Sequence, residues 1–243
     1  MTENEIIKKI QSRGFWKVRF TPVRFDEKRI SDRKTLLEYV EKSVVRLRGW
    51  DYPHYSHWGN QQERRAIIGD DYIEGGSAWR TQIEFWRMYQ SGQFIHLFAL
   101  DEDWWAEDSW YSSRPDLQKI KPGEVLGIIS ALYNMTEIFE FLYRLTKLGI
   151  YDDGVDVSIS IENSRGRKLK IIDDVLRAPL FEEYKSHQES VKFEKELLKK
   201  EIIEEHKKLA LDAIIWIFES FNWTDSPREV FEQDQKKFYE RRF

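Results

Sequence analysis

Asp51, His54 and His57 stand close together in the stretch RGWDYPHYSHWG, from Arg48 to Gly59. Two imidazoles and a carboxylate are the donor set of zinc and other transition metals. A metal held by three such ligands with one open position activates water, so this set points to a metal-dependent hydrolase. Asp70 and Asp71, in GDDYIEGG, follow as further oxygen donors. The spacing is a weak signal. Histidines at i and i+3 share a face only on a helix, and Pro53 argues for a loop. No HExxH arrangement is present. The plainer reading has both histidines bonded to backbone inside an aromatic loop.

The same stretch supports a second chemistry, recognition. Arg46, Arg48, Trp50, Tyr52, Tyr55, Trp58, Arg64 and Arg65 interleave rings with guanidinium groups. Rings stack on unpaired bases while arginines hold phosphates. The same inventory is enriched at protein–protein hot spots. A third use is a core of rings with arginines stacked on them. Seven of the ten tryptophans fall between residues 50 and 110. The partner-binding set read from this region is Arg48, Trp50, Tyr52, Tyr55, Trp58, Arg64 and Arg65. The metal reading with Asp51, His54 and His57 is its alternative.

Other constellations are weaker. Asp156 and Glu162, with Lys168 or Lys170 on the next strand, loosely suggest a metal-dependent nuclease, but they also form the polar side of an amphipathic strand. Asp101-Glu102-Asp103 and Glu107-Asp108 have the charge to bind a cation, but acid runs in loops read more often as solvated charge. His96, among apolar neighbours, reads as a satisfied buried histidine. The sequence has no P-loop, GxGxxG, GxSxG or calcium-loop spacing. No catalytic residue, metal or cofactor is assigned.

The elements that must position these residues follow from periodicity. Residues 3–12 form a short helix before Gly14. Phe15–Val23 alternates as a half-buried strand, with Trp16, Val18 and Phe20 on one side and Pro22 at its end. Ser31 or Asp32 caps a helix whose apolar positions Leu36, Leu37, Val40, Val44 and Leu47 run to Gly49. A hairpin turns at Gln90–Gln93, and its second strand, GQFIHLFAL, lies deep in a sheet. For its first strand the alternative is a helical stripe of Trp79, Ile83, Trp86 and Met88. Residues 101–121 form a long loop. A central buried helix runs from Pro122 to Gly149. VDVSISIEN (Val155–Asn163) is a strand, turning into a return strand RKLKII. Residues 189–221 form one long helix, with Glu196→Lys200 and Glu204→Lys208 as supporting pairs. Ser226-Pro227-Arg228-Glu229 has the form of a capping box for a terminal helix.

The fold class is α+β: a mostly antiparallel sheet, helices packed on one face, and a helical C-terminal region. The chain reads as a single domain over 1–243, with a weak seam near 178 and a helical part over 180–243. Its 243 residues suffice for a core without staples. The absence of cysteine excludes disulfides and thiolate chemistry. The first residues lack the apolar segment of a secretory signal, and no apolar run spans a bilayer. A cytoplasmic protein without membrane contact is expected. Residues 1–50 carry 13 basic and 7 acidic side chains, residues 51–110 carry 4 and 11, and the whole chain nets −4. That balance lacks the basic excess of a dedicated nucleic-acid binder. The expected function is a non-catalytic binding or accessory protein, recognising a protein or, less favoured, a nucleic acid through residues 48–110.

Overall fold

The computed structural model describes residues 2–54, 66–172, 180 and 182–242. Helix α1, Glu3–Gln11, opens with a capping box in which the Thr2 hydroxyl and the Glu5 carboxylate each accept the other's backbone N–H. Strand β1, Phe15–Pro22, follows. Helix α2, Arg33–Ser43, is capped by Asp32, which accepts from Thr35 N at 2.9 Å. It is shorter than its apolar spacing predicts. Val44 adopts extended backbone, and Val44, Val45 and Leu47 are buried from a loop.

Strands β2 (Ile67–Ile68), β3 (Tyr72–Trp79), β4 (Gln82–Tyr89) and β5 (Phe94–Ala99) form an antiparallel meander. The sequence stretch of Trp79, Ile83, Trp86 and Met88 is therefore not a helical stripe. Residues 101–121 are made of three short 3-10 turns and the one-turn helix α3, Pro115–Gln118, rather than an open loop. Strand β6 (Val125–Gly127) leads into the central helix α4, Ile128–Lys147. Then come β7 (Val155–Glu162), β8 (Lys168–Lys170), β9 (Ser190–Leu197), α5 (Lys199–Glu219) and α6 (Arg228–Tyr239).

The main sheet has the order β2-β3-β4-β5-β1-β7-β9 and is antiparallel throughout. The α+β class is thus observed. Two expected elements differ. β8 does not return along β7 but pairs in parallel with β6. SVKFEKEL is an edge strand beside β7, not the first turns of a long helix, so Glu196 and Lys200 stand on different elements. Ser226 makes no helix cap, and its hydroxyl is buried without a partner.

One sheet face carries Trp16, Val18, Phe20, Ile73, Trp86, Met88, Phe94 and the β7 valines and isoleucines. It packs with apolar side chains of α2, α4, α5 and α6 in one large core. α4 has residues of that core on most of its circumference, as its composition predicts. The other face is covered in part by α1, whose Ile6 and Ile10 meet Phe15, Ile83, Phe85, Leu97 and Trp104. Among the described residues no helix is long and apolar enough to cross a membrane.

Candidate functional site

The site lies where β4 and β5, α4 and the loop after α2 meet. Its floor is set by strand register. Glu84 stands opposite Phe98, which stands opposite Trp16; one row along, Trp86 stands opposite His96. Residues two apart on a strand share a face, so Glu84, His96, Phe98 and Trp16 all point toward α4. α4 answers with Ser130, Asn134, Glu137 and Phe141, spaced at four and three along one stripe.

The third wall is the loop 44–54. Val45 and Tyr52 form an antiparallel bridge through bonds of 2.8 and 2.9 Å. This bridge closes a tight excursion that carries Arg46, Arg48 and Trp50. Buried acceptors fix its side chains. Arg48 donates to Asn134 Oδ1 at 2.5 Å and to Glu137 Oε2 at 2.6 Å. Trp50 Nε1 donates to Glu84 Oε1 at 2.7 Å, and the His54 backbone N–H donates to Glu84 Oε2 at 3.0 Å. Trp86 Nε1 in turn donates to the His54 carbonyl at 2.9 Å. The aromatic loop is therefore sewn to the sheet by one carboxylate, Glu84, which is also bonded to His96 Nε2 at 2.9 Å.

Between these walls is a cleft of ≈ 40 Å³, on a scale where one water needs roughly 10–15 Å³. Asp51, Glu84, Asp101, Glu102 and Glu137 line it, with Arg48, His96 and the rings of Trp16, Trp50, Tyr52 and Phe98. Several polar atoms of the lining residues are enclosed yet have no hydrogen-bond partner: Trp16 Nε1, Arg48 Nε, Tyr52 Oη, His96 Nδ1 and Glu137 Oε1. Buried polar atoms of this kind are uncommon in folded proteins and each calls for a reason.

The electrostatics separate four of these acids. Burial pushes Asp101 up, the Glu102 charge adds to it and Arg48 opposes, leaving Asp101 at about 7. Burial likewise raises Glu137 to about 7, against the pull of the Arg48 charge. Glu102 is raised by burial, although Gly127 N donates to it at 2.8 Å at the start of α4. Glu84 is the exception. Burial pushes it up, but the hydrogen bond and charge of His96, with His54 and Trp50, bring it below the usual carboxylate range. Tyr52 is held well above its ordinary value by burial and by the Glu84 and Glu137 charges. About a third of the Arg48 side chain still reaches solvent, while its Nε is enclosed.

From the cleft a chain of planar groups leads outward. Trp50 stacks on His54 with centroids 4.0 Å apart and on Trp79 at 5.9 Å, both near parallel. The Arg80 guanidinium lies 4.6 Å from the Trp79 ring centre and 4.5 Å from that of Trp110. Trp79 is 53% exposed and Trp110 68%.

Of the residues read from sequence, Arg48 and Trp50 line the cleft, as does Asp51. Tyr52 does so from within the core. It is buried, packing edge-on against His96, Phe98 and Phe141, and so is a wall rather than a surface contact. Tyr55, Trp58, Arg64 and Arg65 lie outside the described residues, as does His57. In the metal alternative, Asp51 is drawn to Arg46 at 3.3 Å and His54 is stacked on Trp50. Among the described residues no three His, Asp or Glu side chains gather to hold a metal. The nuclease-like set is not assembled: Asp156 faces Thr21 and Glu196 across its neighbours, while Lys168 and Lys170 belong to the separate two-stranded sheet. His96 is buried and bonded through one nitrogen only.

Sequence reasoning missed Glu84, Asn134 and Glu137, and read Asp101 as solvated charge. A signal for two of them was present. Glu84 and Glu137 each have apolar residues beside them in mainly apolar runs, and a buried acid is expected to be paired. No protein-family model matches this chain, and neither a curated protein nor a solved structure matches it.

Proposed function

We propose that this is a non-catalytic recognition protein whose partner is another protein. The observation that carries the reading is the stacked chain His54–Trp50–Trp79–Arg80–Trp110, anchored inside on Glu84 and ending on two solvent-exposed indoles. Exposed large rings held rigidly by neighbours lose little conformational freedom on binding, which is why tryptophan and arginine dominate binding hot spots. The surroundings favour a protein over a phosphate chain. Residues 51–110 carry 11 acidic and 4 basic side chains, the opposite of a nucleic-acid footprint.

The test is comparative capture. The full chain and a Trp79→Ala/Trp110→Ala variant are immobilised and exposed to the same extract of the source cells. A protein retained by the parent and reduced about tenfold or more by the variant supports the reading. Identical retention by both overturns it. A single-stranded oligonucleotide is titrated in parallel; binding that weakens steeply with added salt would instead identify nucleic acid as the partner.

A further inference from the structure

We propose that the cleft behind this stack binds a primary aliphatic ammonium group, supplied by a lysine side chain of the partner or by a free amine. The proposal deepens the recognition reading and rests on it only for the lysine source.

Charge points this way first. Five carboxyl groups line the cleft, Asp51 among them, against one guanidinium and one imidazole. The Arg48 charge is already committed to Glu137 Oε2 and to the Asn134 amide oxygen. An ammonium has three donors and no acceptor. Residues lining the cleft supply matching acceptors: Glu137 Oε1 and Tyr52 Oη are both enclosed and unpartnered, and their residues are 0% and 5% exposed. The rings of Trp16, Trp50, Tyr52 and Phe98 also line it, and ring faces attract cations. Size is the third argument. The ≈ 40 Å³ cleft has room for about three water-sized groups. That fits an ammonium with its first carbons and is tight for a planar guanidinium.

Two carboxyl groups in the cleft titrate near neutrality, because burial holds Asp101 and Glu137 up to about 7. An arriving cation favours their ionised forms and displaces protons. The charged groups facing them are Glu84 on β4 and His96 on β5, Glu102 beside Asp101, and Arg48, Asp51 and His54 on the loop. The ammonium stays charged throughout, so affinity should climb with pH as the two acids ionise.

The experiment is a calorimetric titration of the full chain with n-butylammonium chloride, n-butylguanidinium chloride and n-butanol. Saturable one-to-one binding of the amine, about tenfold or more tighter than either comparator, is expected. Its affinity should rise about tenfold between about pH 6 and about pH 8, with proton release. Asp101→Asn should weaken the amine about tenfold without lowering the melting temperature appreciably. The ligand comparison needs no variant, so a poorly folding Asp101→Asn does not rescue the proposal. Butanol binding as well as the amine, or no saturable binding of the amine at all, overturns it, leaving a cleft filled by water. Cadaverine and a lysine-containing peptide then separate the two sources by which binds tighter. No partner enters this titration, so failure here leaves the capture result standing, and a failed capture leaves the ammonium result standing.

Discussion

Three consecutive acids, Asp101, Glu102 and Asp103, occupy a single 3-10 turn after β5, yet they end in two very different buried clusters. Asp103 belongs to a closed one. It forms a two-pronged pair with Arg167, through Nη1 at 2.8 Å and Nη2, and accepts from Gly14 N and Gly123 N at 2.8 Å each. Arg167 also donates to the carbonyls of Asn163 and Val125, both at 3.0 Å. Both side chains are 1% exposed, and neither has an enclosed atom without a partner. Asp101 belongs to the open cluster around Arg48 and Glu137, where five enclosed atoms lack partners. The comparison teaches what satisfaction means. A saturated buried network fixes one structure. An unsaturated one keeps unmet hydrogen-bonding capacity that a ligand or water can fill.

The largest effect should come from the closed cluster. Asp103→Ala leaves the Arg167 charge buried and opens two backbone N–H groups, which should cost about 3–5 kcal/mol. Urea unfolding would show the midpoint falling by a corresponding amount. Gly14 is part of the same design, since a Cβ there would lie 1.9 Å from Arg167 Nη2. Should Asp103→Ala prove no costlier than a surface substitution, the distinction between the clusters would be broken.

The open cluster should reveal itself by its pH dependence. Glu137 is held at about 7 in the fold, against roughly 4.3 in an unfolded chain. Its protonated form is the one the fold favours. Between those values the native state binds more protons than the unfolded state, so stability falls as pH rises from about 4 to about 7 and is level above. Asp101 acts in the same sense. Glu84 acts oppositely: its stabilisation is present above the ordinary carboxylate range and lost below it. Glu137→Gln mimics the protonated acid and keeps an acceptor for Arg48. It should unfold at higher urea than the parent at about pH 8, by an amount on the order of 1–3 kcal/mol. At about pH 5 the two should converge. A difference independent of pH would mean that Glu137 is a saturated structural ion after all.

The contrast between the clusters also marks how far the sequence was readable. β1, β5, β7 and α4 were legible because one periodicity, of two or of 3.6, was written in consecutive residues. β9 was not. Val191, Phe193 and Leu197 alternate with lysines and glutamates, and the same residues read as a charged helix until β7 is there to pair with. α2 was read too long because Val44 and Leu47 are buried whether or not the backbone stays helical. At the site, Arg48 and Trp50 were legible as types. Their partners were not, since Glu84 lies 34 residues from Trp50 and Glu137 lies 89 from Arg48. The acid triplet looked like solvated charge because a run of like residues says nothing about three divergent environments.

The smallest effect on stability should come from the exposed end of the stack, and that smallness is itself informative. Trp110 is 68% exposed, and among the described residues its ring carries the Arg80 guanidinium. Cation–ring contacts at such sites contribute about 0.5–1 kcal/mol, and little apolar area leaves water there. Trp110→Ala should therefore shift the unfolding midpoint by about 0.5 kcal/mol or less. Trp50→Phe should cost more despite its conservative character, because it removes the donor to Glu84 Oε1 and leaves a buried carboxylate oxygen short of a partner, at about 1–3 kcal/mol. The two variants thus separate the stack into an inner half that holds the loop and an outer half that the fold does not need. If Trp110→Ala destabilises the chain as much as Trp50→Phe, the outer indoles are part of the core's support and have no surplus to offer a partner. If it leaves stability unchanged while abolishing partner capture, the exposure of that ring is explained by recognition alone.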